Sequence, residues 1–284
     1  MPTREEITKI VESVVAELSK KGAISEPGTC KEGEDLGLLD LRTWIEVKSP
    51  VDLEAMKKIK LSCPARIGIG RAGPRFTTRT LLRFRADHAA AKDAVTLDVK
   101  EEVIEKLGLL PLQSACIDRE VFLTRPDAGR VLSPESMELI KTKAVKSPQF
   151  QLVVSDGLSS TAIEANAPTL VPELLKRLES AGVKVGTPVF VKYARMRIAD
   201  EVAHAVDAEV TLILSGERPG LVTAESMSAY LIYRPTAETT EADYTAMSNI
   251  HRSGTPPLEA AAQLAELAIK SLKAKASGAK LAQS

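Results

Sequence analysis

The second half of the chain alternates short apolar runs with segments of helical periodicity, and this alternation limits the folds that the sequence can adopt. Runs rich in branched apolar residues predict five strands, at 112–117, 151–155, 188–193, 210–216 and 229–233. Apolar residues recur with helical spacing at 173–182, 198–206 and 257–276. Strands that are apolar on both faces and separated by helices are typical of a parallel sheet buried on both sides. The sequence therefore predicts an α/β fold, with a Rossmann-like, mostly parallel sheet over residues 107–284.

The start of the chain has the pattern of an amphipathic helix. Apolar residues from Ile7 to Leu18 recur three or four positions apart, and Thr3 with Glu6 has the spacing of a capping box. We predict one helix within residues 1–21. Its apolar stripe is buried either against the body of the chain or in a groove of another protein, and the sequence leaves both possibilities open.

Two further segments separate this helix from the predicted sheet. Residues 22–37 contain four glycines, one proline and few apolar side chains, which predicts a flexible linker. Residues 38–106 are mostly helical in pattern, with helices opening near Pro50 and Thr77. We predict a small helical domain there.

Charge balance and cysteine content exclude several classes of protein. Thirty-eight basic residues balance thirty-eight acidic ones, which leaves no net positive field for coating nucleic acid or a membrane surface, although a local patch is compatible with this balance. No apolar run approaches the ~20 residues of a membrane span. Three cysteines and three histidines are scattered without the spacing of a metal site or a disulfide framework. We therefore expect no metal site, no nucleic acid and no membrane partner, in a reducing, cytoplasmic environment.

One motif suggests a dinucleotide. Gly68, Gly70 and Gly73 form G-x-G-x-x-G, which binds pyrophosphate where it joins a strand to a helix. Here the preceding strand candidate is short, Pro64 interrupts it and Pro74 follows the last glycine. A nucleotide-binding oxidoreductase is therefore the alternative function, and a non-enzymatic scaffold subunit is a third.

Arginines recur near this motif. Arg71, Arg75, Arg79 and Arg83 are four residues apart, with Arg85 close by, and from Arg75 onward they are predicted to share a helical face. The pattern fits a solvated face as well as a docking surface for an acidic partner or a phosphate.

Polar segments follow the predicted strands, and in a parallel sheet these strand ends form the ligand crevice. They lie at 155–160, 194–197, 217–220 and 239–257. Ser155, Asp156 and His251 are the residue types of a triad, but G-x-S-x-G is absent and nothing in the sequence brings the three together. The recurrence of polar loops favours a ligand site without an arranged nucleophile and base.

Six segments of the chain resemble, in order, the small (light) subunit of adenosylcobalamin-dependent ethanolamine ammonia-lyase. They are GRAGPR leading into RTLLRFRADHAAAKD (70–93), LTRPDAGR (123–130), VVSDGLSSTAI (153–163), VGTPVFVKYAR (185–195), SGERPGL (215–221) and SNIHRSGTPPLEAAA (248–262). The resemblance covers nearly the whole chain.

This resemblance implies a function and a set of cofactor contacts. The family's holoenzyme converts ethanolamine to acetaldehyde and ammonia by a radical mechanism, and the small subunit covers the cobalamin at the interface with a large catalytic subunit. The family's cofactor contacts correspond to Met196, Glu217 and Ala246, of which Glu217 alone matches in residue type. No catalytic residue is implied in this chain. D-x-H-x-x-G, whose histidine would replace the benzimidazole on cobalt, is absent, which fits base-on binding of the cofactor.

The resemblance also implies a location. The ethanolamine pathway of the family is often enclosed in a bacterial microcompartment, which enzymes enter through short amphipathic N-terminal helices. Residues 1–20 have that form, so shell proteins are expected partners besides the large subunit.

Overall fold

The computed structural model describes residues 35–283 of the chain. The predicted amphipathic helix at 1–21 and most of the predicted linker lie outside the described residues. The end of that linker forms a short 3-10 helix, Leu36–Leu38. The chain divides into two compact units, Met1–Arg83 and Phe84–Ser284.

The first unit contains a helix, a hairpin and the start of a second helix. Helix α1 spans Leu53–Ser62, and the short strands β1 (Arg71–Ala72) and β2 (Arg75–Phe76) pair antiparallel. Helix α2, Thr78–Thr96, begins directly after the hairpin and continues into the second unit. The two helices that the sequence predicts here are confirmed, whereas the hairpin between them was not predicted.

Polar contacts, rather than an apolar core, hold the described part of the first unit together. Between residues 35 and 83 no side chain classed as hydrophobic is buried among those whose burial is described, while those of Lys60, Thr80 and Arg83 are. Lys60 Nζ donates to the carbonyl of Ile67 at 2.7 Å, and burial lowers the pKa of its ammonium group. Large apolar side chains are exposed at Val47, Val51, Leu53, Ile59, Leu61, Phe76, Leu81 and Leu82.

The glycine motif belongs to this polar framework. Glu46 Oε2 accepts hydrogen bonds from the hydroxyls of Thr77 at 2.8 Å and Thr80 at 2.6 Å. A Cβ on Gly70 would lie 2.6 Å from the same oxygen, so a larger residue does not fit without displacement. Gly73 has a φ of 61° in the hairpin turn. The motif therefore shapes a hairpin and not the strand-to-helix turn of a dinucleotide site, which removes the structural basis of the oxidoreductase alternative.

The expected helical row of arginines is wrong for Arg75, because that residue lies in β2 before the helix begins. Arg83 is on α2 but is buried, and its Nη1 donates to the carbonyls of Leu36 and Leu39, both at 2.6 Å. This side chain fastens the 3-10 segment to the helix, which is a structural role within the chain.

The second unit is a six-stranded sheet with helices on both faces. Its strands are β3 (Leu110–Gln113), β4 (Phe150–Ser155), β5 (Val189–Lys192), β6 (Val210–Gly216), β7 (Met227–Tyr233) and β8 (Thr245–Ile250). Its helices after α2 are α3 (Glu101–Lys106), α4 (Arg119–Thr124), α5 (Pro134–Lys143), α6 (Ser160–Ser180), α7 (Ile198–Val206), α8 (Pro257–Ala274) and α9 (Gly278–Ala282), with 3-10 turns at Ala128–Arg130 and Glu241–Asp243. No helix within residues 35–283 combines the length and apolarity needed to cross a membrane.

The strand order is β3-β5-β4-β6-β7-β8. The first four strands in this order are mutually parallel, while β7 pairs antiparallel with β6 and with β8. The predicted α/β fold with a mostly parallel sheet is confirmed. The Rossmann-like detail is not, because the dinucleotide-binding order has the first strand of the sheet at its centre and here β3 lies at the edge.

Successive side chains along the strands point to opposite faces of the sheet and pack into two hydrophobic cores. Leu212 and Leu214 of β6 pack with α6 and α8 on one face, while Ile213 packs with α5 and α7 on the other. All three are fully buried, and each contributes roughly 1.5–3 kcal/mol by leaving water. Burial on both faces is what made β4, β5 and β6 readable as continuous apolar runs.

Several elements differ from the sequence prediction, among them β3, α6 and β8. Strand β3 begins two residues earlier than expected and ends at Gln113. Helix α6 begins at Ser160 and contains Pro168 and Pro172, which hid its first half from a reading of helical periodicity. Strand β8 occupies a stretch that was predicted to be a loop. The sequence pattern does not reveal this strand, because it lies at the sheet edge and most of its residues are not buried.

Gly70→Ala tests the role of the glycine motif. Because the added methyl would crowd Glu46 Oε2, we expect faster amide hydrogen exchange in α1 and the hairpin, and no change in NAD or FAD titrations. Gly73→Asn is the matched control, since nothing lies within 4 Å of its Cβ position and asparagine tolerates positive φ. Unchanged exchange in Gly70→Ala, or saturable nucleotide binding that it abolishes, would contradict this assignment.

Candidate functional site

A crevice of about 620 Å³ lies at the carboxyl ends of β4, β5 and β6. Its walls come from residues 157–158 after β4, 194–197 after β5 and 215–218 at the end of β6. The other lining residues are Phe122, Pro126, Arg130, Ser228, Tyr230, Glu241 and Ser248. All four polar segments predicted from the sequence therefore contribute to one crevice, the fourth through Glu241 and Ser248.

Glycine backbone brings the loop after β4 against the end of β6 at this edge. The N–H of Leu158 donates to the carbonyl of Gly216 at 2.9 Å. A Cβ on Gly216 would overlap the carbonyls of Ser159 and Asp156, and one on Gly157 would overlap Ser215 and Gly216. Main chain and the hydroxyl of Ser215 fill this junction.

Glu217 joins three strands at the crevice wall. Its carboxylate accepts hydrogen bonds from the hydroxyls of Ser226 at 2.6 Å and Ser228, and from the N–H of Asn249 at 3.0 Å. Burial disfavours its charge, but these three bonds and the nearby His251 outweigh burial and lower the pKa of Glu217. An ionised carboxylate thus ties the ends of β6, β7 and β8 together, a structural role separate from the cofactor contact that the resemblance implies, which stays a prediction.

The other two implied contact residues are placed differently from each other. Met196 is half-buried in the loop after β5 and lines the crevice. Ala246 was expected in a loop, but it lies in β8, exposed, and pairs with Tyr230 of β7. Tyr230 lines the crevice and Ala246 does not, so Ala246 lies beside the site on the neighbouring strand.

An ion pair between buried Asp156 and partly buried Arg119 lies beside the crevice, next to its lining residue Gly157. Asp156 follows β4 with no exposed surface, and its Oδ2 lies 3.0 Å from Arg119 Nη2. Its Oδ1 accepts the N–H of Tyr193 at 2.9 Å, where that residue has a left-handed φ of 58°. Burial raises the pKa of Asp156 to about 6, against the opposing charge of Arg119. The guanidinium carbon of Arg119 also lies 4.6 Å from the centre of the Tyr193 ring.

The imagined Ser155–Asp156–His251 triad is not assembled. Ser155 Oγ donates to Asp156 Oδ1 at 3.3 Å, but Asp156 is otherwise committed to Arg119 and Tyr193. The ring of His251 contacts the Asn249 side chain at 2.8 Å and accepts from the N–H of Ser253. These contacts position loops and supply no activated nucleophile.

Arginines give the crevice its charge. Arg130, Arg195, Arg197 and Arg218 all line it, from three different segments of the chain. Arg197 is engaged by Asp200, at 2.9 Å from Nη2 to Oδ2. Sequence reasoning missed this cluster, because the four residues are scattered over 89 positions and only the fold brings them together.

The chemical groups of this site are suited to binding a ligand. Its walls present guanidinium groups, hydroxyls, a carboxylate and backbone amides, which suit a large polar ligand with anionic character. Within residues 35–283 no three His, Cys, Asp or Glu side chains are grouped so that they could hold a metal ion.

Fold and site together define an α/β protein with a polar ligand crevice at its strand ends. The family model described as ethanolamine ammonia-lyase light chain (EutC) matches residues 53–282. The chain is 46% identical to the ethanolamine ammonia-lyase small subunit of Fusobacterium nucleatum subsp. nucleatum, over 98% of each chain. It is 47% identical to the ethanolamine ammonia-lyase small subunit of Clostridium perfringens, over 94% of this chain and 90% of the relative.

The chain belongs to the family of ethanolamine ammonia-lyase small (light) subunits. The family match begins within the first unit and continues through the second, so it includes the glycine hairpin as well as the crevice.

Glu217→Gln tests the carboxylate's structural role. We expect it to lower the free energy of unfolding at pH 7 by roughly 1–3 kcal/mol, because charge-assisted hydrogen bonds are weakened. The pKa of Glu217 is lowered in the folded chain, so this stabilisation is present above the unfolded value of 4.5 and is lost as pH falls through the folded value. The free energies of unfolding of wild type and variant, measured by denaturant titration, should therefore converge as the pH is lowered.

Glu179→Gln is the control, since this glutamate is exposed at the end of α6. Its unfolding free energy should stay within ~0.5 kcal/mol of wild type at both pH values. A Glu217→Gln variant as stable as the control at pH 7 would refute the strand-joining role.

Proposed function

We propose that this chain is the small subunit of an ethanolamine ammonia-lyase, which converts ethanolamine to acetaldehyde and ammonia. In this proposal it covers adenosylcobalamin, bound base-on, at the interface with a large catalytic subunit. Family membership supports the reaction, and the observation that carries the cofactor role is the strand-end crevice lined by Met196 and Glu217.

The residues of the crevice suit such a cofactor. A corrin ring is edged with primary amides, which need hydrogen-bond acceptors and donors around their rim. The carboxylate of Glu217 already accepts three bonds within the chain, and a carboxylate offers about four lone-pair positions, so one amide bond remains available. Backbone groups of the loops after β4 and β5 offer further partners.

Crevice size favours a shared site. A volume of about 620 Å³ is typical of pockets that hold a drug-sized ligand, and cobalamin is considerably larger. The crevice therefore suits one part of the cofactor, and the remainder needs a second protein surface. This agrees with a role in which the large subunit provides the other side.

The division of chemistry follows from these groups. Adenosylcobalamin supplies radical chemistry when bound. The residues of this chain bind and orient the cofactor and exclude water from one of its sides. We assign no catalytic residue to this chain, because none of its groups is proposed to touch the reacting atoms.

The first unit provides a second argument for a permanent partner. Its described residues bury no side chain classed as hydrophobic and expose eight large ones, including Ile59, Leu61 and Leu82. Patches of exposed apolar side chains on this scale are typical of interaction surfaces. Burial against the large subunit would supply the apolar contacts that the unit lacks by itself.

Reconstitution tests the proposal. We expect no ethanolamine deamination by the isolated chain with adenosylcobalamin, and activity on addition of a large subunit from the same family. Cobalt should co-purify with the complex in stoichiometric amount. Deamination by the isolated chain, or an active large subunit whose rate and cobalt content do not depend on this chain, would refute the role.

We also propose that residues 1–20 direct the chain into a bacterial microcompartment through shell proteins. The capped amphipathic pattern from Thr3 to Leu18 supports this. A lone helix of about 18 residues is marginal in water, so it gains order when its apolar stripe is buried in a partner.

Deleting residues 1–20 separates this role from folding. We expect cobalamin-dependent activity to persist with the large subunit, and sorting into shells, followed by fluorescence of a fused reporter, to be lost. If the helix instead packs on its own chain, its deletion would lower Tm by several degrees, because several buried apolar side chains contribute several kcal/mol. Normal sorting after deletion would likewise contradict the targeting role.

A further inference from the structure

We propose that Arg130, Arg195 and Arg218 form a phosphate-binding site in the strand-end crevice, and that its ligand is the phosphodiester of the cofactor's nucleotide tail. This inference rests on the proposed function. It assigns a ligand group to three residues that the sequence comparison does not implicate.

The three arginines reach the crevice from separate elements. Arg130 ends the 3-10 turn Ala128–Arg130, Arg195 follows β5, and Arg218 lies two residues beyond β6. All three line the same crevice. The 3-10 turn and the β5 loop are locked together, because the N–H of Arg195 donates to the carbonyl of Gly129 at 2.7 Å and a Cβ on Gly129 would lie 2.8 Å from Arg195 Cγ.

Arg195 is held rigidly but is incompletely satisfied. Its Nη2 donates to the carbonyl of Phe122 at 2.6 Å, and its guanidinium carbon lies 4.1 Å from the centre of the Phe122 ring. Its Nε is buried, and no hydrogen-bond acceptor for it exists in the part of the chain that the structure describes. The guanidinium is thus fixed at the crevice with donor capacity left over.

The positive charges around Arg195 favour the binding of an anion. Burial lowers the pKa of Arg195, and the positive charges of Arg130 and Arg218 lower it further, although the charge of Asp156, which is paired with Arg119, acts in the opposite direction. Neither Arg130 nor Arg218 has an ion-pair partner among residues 35–283. Three guanidinium groups gathered in one crevice repel one another unless a negative charge lies among them.

The carboxylates of the crevice do not supply that charge. Glu217 is engaged by Ser226, Ser228 and the backbone of Asn249. Glu241 acts on the Arg197 side of the crevice: the hydrogen bond to Asp200 raises the pKa of Arg197, and the charge of Glu241 adds to that effect. The balancing anion is therefore expected from the ligand.

Phosphate is the anion that this cluster suits. Guanidinium groups bind phosphate oxygens through paired, charge-assisted hydrogen bonds. The side chains around a corrin ring are neutral amides, and the nucleotide tail carries the cofactor's one phosphate. The arginines therefore distinguish the tail from the ring, whereas Glu217 and the backbone groups suit the amides.

The test compares three corrinoids in the complex with the large subunit. Hydroxocobalamin and cobinamide phosphate carry the phosphate, and cobinamide lacks it. Kd is measured by equilibrium dialysis for wild type and for the double variant Arg130→Gln/Arg218→Gln. Both residues are exposed, so the fold should be retained, and circular dichroism checks this. Arg177→Gln, an exposed arginine on α6, is the control for altered net charge.

We expect the double variant to raise Kd for hydroxocobalamin and cobinamide phosphate by roughly tenfold to a hundredfold, as loss of charge-assisted hydrogen bonds would. Its Kd for cobinamide should match wild type. The wild-type preference for cobinamide phosphate over cobinamide should also weaken with rising salt, more steeply than in the variant. Equal changes for all three corrinoids, or no change for any, would overturn the inference.

A titration with inorganic phosphate separates the two sources of this chemistry. If phosphate binds the wild-type chain and not the double variant, while the preference for cobinamide phosphate over cobinamide is unaltered by substitution, the site takes free phosphate and the cofactor assignment is overturned. A wild-type complex that binds none of the corrinoids would refute the proposed function itself. A wild-type complex that binds them all, with unchanged affinities in the variant, would refute only the arginine site.

Discussion

The ion pair of partly buried Arg119 with buried Asp156 is the contact on which the geometry of the strand-end edge depends. Two charges are expensive to bury, and removing one partner of such a pair typically costs about 3–5 kcal/mol. Here Asp156 also holds the N–H of Tyr193 in a left-handed conformation that non-glycine residues adopt rarely. The carboxylate therefore fixes the end of β4 to the start of the loop that carries Arg195 and Met196.

A second carboxylate repeats this arrangement on the other wall. Glu217 binds hydroxyl and backbone groups from β7 and the end of β8, so the antiparallel half of the sheet is fastened to the parallel half at the crevice. The pKa values of the two carboxylates are shifted in opposite directions for a physical reason. Burial dominates for Asp156 and raises its pKa, whereas donated hydrogen bonds dominate for Glu217 and lower its pKa. Both walls are thereby held in place by contacts within the chain itself.

The parts of this structure that sequence could predict are those that depend on local pattern. Strand β6 and helix α7 were predicted to the residue, because burial on both faces or on one stripe leaves a clear period. The edge strand β8 was missed because its mostly unburied residues lack an apolar run, and Pro168 and Pro172 concealed the start of α6. The contacts of Glu217 and the gathering of Arg130, Arg195 and Arg218 depend on residues far apart in the chain. Local periodicity carries no information about such long-range contacts. The sequence therefore predicted which loops form the site, but not which side chains contact one another there.

The glycine junction between the β4 loop and the end of β6 has a consequence for how such a site can diverge. At Gly157 and Gly216 any side chain would overlap backbone, so this part of the crevice offers main-chain amides and carbonyls whatever the sequence around it. Mutation can alter ligand preference only where side chains reach inward, on the walls that carry Met196, Arg130 and Arg218. The part of the crevice formed by backbone therefore keeps the same chemical groups, whereas the part formed by wall side chains can change. Directed evolution of the proposed corrinoid site should find its useful substitutions among these wall residues.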